Sequence, residues 1–427
     1  MAQPVAMTLA EKLVAHAAGQ ASLRPGEVVT AKVDLAMMHD SGGPRRVAPM
    51  LERLQAKLWD PDRVVVISDH YVPAVDAESA GILDLTRKWV KAAGVTKFHD
   101  MQGICHVVLP ERGHLRPGLF VVGGDSHSPT GGAFGAYMFG VGATEMCGVL
   151  VTGEIWLRVP ETILLHWTGK LTPGVAAKDM ILAMCARLGM DGGRYQAIQY
   201  AGTTIAGLSM QERMTLSNMA AELGAQTGLI APDTVTRDYL LGAGVAADQI
   251  DIAGWQGDAD AAVAERHEFD AAALSPMVAA PHSPANSAAV TEHRNVGIDQ
   301  AYIGACTGAK INDLRMAASV LKGRKVASGT RLLIAPASVR TTAEAAADGT
   351  LATLTEAGAI LLSSGCGACA GYGAGVLAEN ETCIASTARN FKGRMGAGSS
   401  RVYLGSPYTV AASAIAGRIA DPREFLA

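Results

Sequence analysis

The sequence predicts an α/β fold with mostly parallel sheets, and three observations carry that expectation. The chain has 427 residues, too many for one core and suited to two or three domains. Short β-branched runs alternate with longer helical stretches, as expected of parallel strands covered by helices. Apolar residues make up 49% of the chain, aromatics only 5%, and glycine is abundant, which suits many tight strand-to-helix turns.

In chain order, residues 1–19 read as a short helix. They lack the basic start and continuous apolar run of a signal peptide. Val64–Ile67 reads as a strand leading into Ser68, Asp69 and His70, and Leu119–Val122 as one leading into Gly123 and then Asp125, Ser126 and His127. The longest apolar stretch, Gly131–Val151, carries several glycines and Glu145, and reads as a buried helix rather than a membrane span. Residues 253–293 are rich in Ala, Asp and Pro and read as a surface excursion and linker. Tyr302–Ile303 leads into Cys306, Ala359–Leu362 into Cys366 and Cys369, and Thr382–Ala385 into Arg389. Ligands of open α/β sheets bind beyond the carboxyl ends of strands, so these five ends predict one large polar cleft at domain junctions. A coarse division is 1–165, 166–285 and 286–427.

The formal net charge of −4 gives no broad basic field, so nucleic acid is not the expected partner. An anionic substrate would need local Arg and His. No membrane span is expected. The seven cysteines are odd in number and spread through a chain with no export signal. They read as thiols or metal ligands rather than disulfides, and the expected compartment is the cytoplasm.

The segment GCGACAGYG follows a strand and contains Cys366 and Cys369. Such a CxxC is a redox dithiol, half of a zinc site or part of an iron–sulfur site. Cys306 follows another strand, in IGACTGAKINDL. Three thiolates leave one iron of a [4Fe–4S] cube without a protein ligand, free to act as a Lewis acid on a hydroxyl and a carboxylate. The bland alternative is that Cys306 is a buried hydrophobe. His70, His106 and His127 sit near glycines or strand ends, and a neighbouring carboxylate would fix each tautomer and raise its basicity. Taken singly, each is more often structural. Asn218 and Glu222 are four apart and are expected on one helix face. Arg389 and Arg394 lie among turn residues, and an Arg fork matches a carboxylate; as an isolated pair they would be surface charge.

GICHVVLPE, GGDSHSPTGGAFG, LSMQERMTLSNMAAELGAQTGLIAPD, IGACTGAKINDL, GCGACAGYGAG and STARNFKGRMG occur in one order. That order resembles large subunits of the 3-isopropylmalate dehydratase and homoaconitase branch of the aconitase family, over residues 30–415. The resemblance implies three α/β domains around a central cleft that holds a [4Fe–4S] cluster with one open iron, ligated by Cys306, Cys366 and Cys369. It implies three His–carboxylate pairs: Asp69 with His70, Asp125 with His106, and Glu222 with His127. Ser126, Arg389 and Arg394 would face substrate, and Asn218 would support the cluster.

Three positions depart from the family pattern. Gly308 stands where Asn is usual, in Ala305-Cys-Thr-Gly308. Ala388 stands where an Asn supports a cluster sulfur. Arg45 stands where a Gln contacts substrate. The activity implied is reversible dehydration of a small 2-hydroxy-dicarboxylate such as 3-isopropylmalate, with His70 protonating the departing hydroxyl. The carbon-bound proton would go to a Ser on a small swivel-domain subunit, and the present chain is expected to lack that domain. The alternatives are a paralogous hydratase of maleate, methylmalate or dimethylmaleate type, and a non-enzymatic CxxC redox or zinc protein. RNA binding, which some full-length relatives show, is disfavoured by the acidic balance.

Overall fold

A computed structural model describes residues 6–426. The helix expected at the N-terminus spans Leu9–Ala18, capped by Thr8 and buried along most of its length; residues 1–5 lie outside the described part. The strands Val28–Lys32 and Glu154–Arg158 form an antiparallel pair, and three larger sheets follow one another along the chain.

The first sheet is fully parallel. Its strands lie in the spatial order Lys97–Asp100, Val64–Ser68, Leu35–His39, Phe120–Gly123 and Tyr137–Gly140. The chain starts in the middle strand, winds outward to one edge, and returns to fill the other. The direction of winding therefore reverses between Leu35–His39 and Phe120–Gly123. At such a switch point the connections diverge and leave a crevice beyond the strand ends.

The second sheet is also parallel, in the order Thr227–Ile230, Ala197–Ala201, Thr162–Thr168 and Glu265–Asp270. The third has a parallel run of five: Arg401–Leu404, Thr382–Ala385, Gln300–Ile303, Arg331–Ile334 and Ile360–Leu361. Met277–Ala279 and Ser287–Ala289 extend it antiparallel. Winding in this sheet reverses between Gln300–Ile303 and Thr382–Ala385. The loop bearing Cys306 leaves the first of these strands, and the turn bearing Arg389 leaves the second.

Side chains alternate between the faces of these sheets, and the alternation welds the units together. From the strand Val64–Ser68, Val64 and Val66 enter a core with the N-terminal helix. Val65 and Ile67 enter a second core shared with Ala301 and Ile303 of the third sheet. Tyr302, between Ala301 and Ile303, points the other way, into a core shared with Trp167 and Tyr200 of the second sheet. Facing sides of the first and third sheets thus share one core, filled by the helices Cys105–Glu111, Ile311–Leu321 and Pro407–Ala416, and residues that follow their strand ends meet in one place.

Several expectations are corrected. Gly131–Val151 is not one helix. It holds the end of a 3-10 segment, Ser128–Phe134, then the strand Tyr137–Gly140 and most of the helix Ala143–Thr152. Gly135, at φ +69°, ends the 3-10 segment in a conformation that glycine adopts without a Cβ clash. The expected excursion over 253–293 contains Glu265–Asp270, an edge strand whose alternate side chains are exposed, and two further short strands. Thr162–Thr168 crosses the expected division at 165 and pairs wholly in the second sheet, while Met277–Ala279 pairs in the third. Asn218 ends the helix Met210–Asn218, and Glu222 lies in the 3-10 turn Met219–Leu223 that follows, so the two do not share one helix face.

The loop that presents Cys306 is held tightly. Ala305 takes φ +69°, a left-handed conformation that costs a non-glycine residue on the order of 1–2 kcal/mol. Gly308 faces Ser386 so closely that an added Cβ would lie 2.2 Å from Ser386 Cβ and 2.6 Å from its carbonyl oxygen. The backbone on that side cannot yield cheaply, so Asn, which the resemblance would place here, has no room at this position. Gly308→Asn is expected to destabilise the chain by about 1–3 kcal/mol, the usual range for overpacking. A thermal midpoint equal to wild type would refute this.

Candidate active site

The two switch points open into one cavity of about 240 Å³. From the first sheet it receives His39, Ser41, His70, His106, Asp125, Ser126 and His127. From the third it receives Cys306, Cys366, Cys369, Arg389 and Arg394. Residues far apart in sequence meet here because each follows a strand end or opens the next element.

Asp69 and His70 leave the strand Val64–Ser68. Asp69 is fully buried and its Oδ1 accepts from His70 Nδ1 at 2.6 Å, while its Oδ2 accepts from the Cys105 amide at 2.7 Å. Asp40 holds the turn by accepting from the amides of Asp69, His70 and Tyr71, at 3.2, 3.0 and 2.9 Å. Burial pushes the Asp69 carboxyl up, but the His70 charge and hydrogen bond outweigh it and bring it down to about 2. Burial likewise opposes the His70 imidazolium. The Cys366 sulfur and then Asp69 overcome that penalty and hold it well above the ordinary histidine range. The charged form of His70 is therefore favoured, and the residue lines the cavity.

His39 stacks on His70, with ring centroids 4.0 Å apart and planes 16° from parallel. Burial, and next the His70 charge, push its pKa down, so it is neutral beside a cationic neighbour. Its Nδ1 accepts from the Gly42 amide at 3.2 Å, which leaves the proton on Nε2 for the Gly124 carbonyl at 3.0 Å.

Asp125 is the hub of the other half. Its Oδ1 lies 2.7 Å from His106 Nε2 and accepts from the His127 amide at 2.8 Å. Burial pushes this carboxyl up, yet the His106 charge and the hydrogen bonds hold it well below the usual carboxylate range. His127 Nε2 lies 3.0 Å from Glu222 Oε1, which also accepts from Arg389 Nε at 2.7 Å. Arg389 Nη1 donates to Ser126 Oγ at 2.8 Å, and Arg394 Nε to the Cys369 carbonyl at 2.9 Å. Arg389 and Arg394 thus line the cavity while held on one side by the protein.

The residues present fit a cluster with three thiolate ligands. Cys306, Cys366 and Cys369 line the same wall region, and Asn218 Nδ2 donates to Cys306 Sγ at 3.2 Å. Burial, and then the Cys366 charge, push the Cys369 thiol up to about 11, while Arg394, Lys178 and Arg389 pull it back toward the thiolate. Two buried atoms of the site, His106 Nδ1 and Asn218 Oδ1, have no partner. Among the described residues, the sets whose ligand atoms all lie within 4.8 Å of one another are His39, Asp40, Asp69 and His70, and His106, Asp125 and His127. The three cysteines do not form such a set. A single zinc, with bonds of about 2.3 Å to sulfur, would require sulfurs closer than that. A wider centre has no such requirement.

The structure brings together Cys306, Cys366, Cys369, His70, His106, His127, Asp125, Ser126, Arg389 and Arg394. Asp69, Glu222 and Asn218 stand directly behind that wall. Arg45 is not brought in. It lies in the first turn of the helix Pro44–Leu54, with its guanidinium 5.9 Å from the Tyr71 ring centroid. Tyr71 in turn packs on Tyr372, 4.9 Å between centroids, and Tyr372 lines the cavity. The sequence reading missed His39, Asp40 and Tyr372 as site residues. A signal was available for the first two, because a His–Asp pair ends a strand there, as Asp–His does at 69–70.

A strand-end cavity with three thiols, three His–carboxylate pairs and two inward guanidinium groups is a constellation suited to hydration chemistry on an acid. Comparison with known proteins agrees. The profile of the aconitase family (aconitate hydratase) matches residues 11–297 and 291–417, and the chain belongs to that family. It is a hydro-lyase of the branch whose members are named 3-isopropylmalate dehydratase large subunit. The relative from Methanopyrus kandleri, so named, is 44% identical over 98% of this chain and 99% of its own. The one from Moorella thermoacetica is 42% identical over the same shares. A Methanothermobacter thermautotrophicus protein named probable methanogen homoaconitase large subunit is 41% identical over 98% of both chains. Among solved structures, the holo-form of Thermococcus kodakaraensis aconitase X matches with a TM-score of 0.50. It is 12% identical and 84% of each chain is covered, a likeness of fold alone. No helix among the described residues is long and apolar enough to cross a membrane.

Proposed function

We propose that this chain is the cluster-binding large subunit of a cytoplasmic, two-chain hydro-lyase. It would reversibly dehydrate a small 2-hydroxy-dicarboxylate of 3-isopropylmalate type. The observation that carries the reading is the single cavity lined by Cys306, Cys366 and Cys369 together with His70, Arg389 and Arg394. The relatives' names support a large-subunit role. Of three domains, 1–165, 166–285 and 286–427, the first and third would form the walls, with Asn218 and Glu222 of the second behind them.

Cys306, Cys366 and Cys369 would hold a [4Fe–4S] cluster, which supplies Lewis acidity toward the substrate hydroxyl and a carboxylate when bound. The chain's own residues bind and orient the substrate and supply the acid. Arg389 and Arg394 bind carboxylate oxygens, and their fixed contacts to Ser126, Glu222 and the Cys369 carbonyl orient them in advance. His70, held by Asp69, gives its Nε2 proton to the departing hydroxyl and takes it back in the hydration direction. His106 and His127, fixed by Asp125 and Glu222, orient the ligand and water. Asn218 steadies the Cys306 sulfur. A Ser on a small partner subunit takes the carbon-bound proton.

The main alternative within the class is a paralogous hydratase of maleate, methylmalate or dimethylmaleate type at the same site. The reading is tested first by anaerobic reconstitution with iron and sulfide. Equal amounts of bound iron and sulfide, with broad visible absorbance, are expected. Stoichiometric zinc without sulfide would establish the zinc reading instead.

A further inference from the structure

Lys178 lies in the first turn of the helix Ala177–Leu188, whose neighbours pack into the core of the second sheet. Its side chain is almost wholly buried at 2% exposure, and among the described residues it has no carboxylate within ion-pair reach. Its ammonium donates only to two backbone carbonyls, Ser386 at 3.2 Å and Thr387 at 2.5 Å. A buried ammonium without a counter-ion carries a penalty of several kcal/mol, and two neutral carbonyls do not cancel it. The other buried lysine nearby shows the ordinary solution. Lys310 has Asp313 Oδ2 at 2.8 Å and donates to Thr215 Oγ1 and the Cys306 carbonyl, both at 3.0 Å.

What Lys178 does reach is the turn beside the Cys306 loop. Burial pushes its pKa down to about 8, and the groups that most oppose this are the Cys306 and Cys369 sulfurs. Its two carbonyl partners belong to the turn that leads into Arg389 and clasps the Cys306 loop. Ser386 Oγ accepts from the Gly304 amide at 3.1 Å and donates to the Gly308 carbonyl at 3.1 Å. The Ser386 carbonyl, besides Lys178, accepts from Thr307 Oγ1 at 2.9 Å. A buried charge with no carboxylate in ion-pair reach, tied to the turn that clasps the Cys306 loop, is complementary to a net-negative thiolate-held centre. The reduction potential and retention of such a centre follow net charge and surrounding hydrogen bonds.

We propose that Lys178 is a positioning residue that supplies the buried counter-charge of the thiolate-bound centre and locks the Ser386–Thr387 turn onto the Cys306 loop. The inference rests on the cluster reading above. The test compares the full chain, reconstituted anaerobically with iron and sulfide, as wild type, Lys178→Met and Lys178→Arg. Loss of iron to a chelator, the midpoint potential of the cluster and the thermal midpoint of each apo chain are measured. Lys178→Met is expected to lose iron roughly tenfold or more faster, within the range for residues that support metal ligands. Its potential shifts to a more negative value, because adding an electron is harder without the nearby cation. Its apo chain melts at or above the wild-type temperature, since a buried unpaired charge has gone. Lys178→Arg keeps the charge and is expected to restore retention toward wild type. A parallel fall in apo stability and cluster retention in Lys178→Met would mean a packing role and overturn the inference. So would unchanged iron loss and potential in a variant whose wild-type parent loads normally. A wild-type chain that takes up no cluster would overturn the cluster reading itself, and this inference with it.

Discussion

Cys366→Ala is expected to abolish cluster assembly and, with it, all turnover. Of the three thiols, Cys366 is the most accessible, and its amide donates to the Asp69 carbonyl at 2.8 Å. One residue thus joins the cysteine wall to the His70 acid. Removing its sulfur leaves two ligands, too few to hold a cube against solvent. The folded chain should survive, because Cys366 lies outside the packed cores and its backbone contact to Asp69 does not need the side chain. Iron and sulfide analysis after anaerobic reconstitution, with a thermal melt of the apo chain, checks both halves. A variant that binds iron and sulfide in wild-type amounts would remove Cys366 from the ligand set.

His70→Asn is expected to lower kcat by about 10²–10⁴, the usual contribution of a positioned general acid, while cluster content stays near wild type. Asn retains a donor toward Asp69 but has no proton to give at the cavity face. Asp69→Asn should lie in between, because His70 would lose the carboxylate that fixes its ring and favours its charge. The rate supported by His70 depends on its protonated form. Its pKa is raised, so that form persists upward past the ordinary histidine range and is lost only above the raised value. In Asp69→Asn the alkaline fall in kcat should therefore move to lower pH. Equal loss of cluster and activity in His70→Asn would make the residue structural.

Much of the architecture was legible because strand ends with polar chemistry leave local marks. Val64–Ser68 and Thr382–Ala385 are short apolar runs bounded by turn residues, and each appears as a strand. What placed them in one cavity was not legible. The switch points arise from strand order, which is set by pairing between segments far apart in sequence and leaves no local trace. Gly131–Val151 misled because an apolar run without clear periodicity does not separate a strand from a helix. The same limit applies to Asn218 and Glu222: the spacing fits one helix, but the helix ends at Asn218. His39 escaped notice as a site residue because its role depends on stacking against His70 across two strands. Arg45 followed from position in a motif. The structure directs it toward Tyr71 instead, because the helix Pro44–Leu54 starts immediately before it.

In the split active site proposed above, this chain would bring the cluster, the acid and the carboxylate clamp, and a small subunit the base. The most direct measurement is turnover of a panel of 2-hydroxy and unsaturated diacids by the anaerobically reconstituted chain, with and without a candidate small subunit. An intact cluster is expected in both samples, with turnover of a 3-isopropylmalate-type acid only when the two chains are combined. Full turnover by this chain alone would contradict it and require a base among the 427 residues.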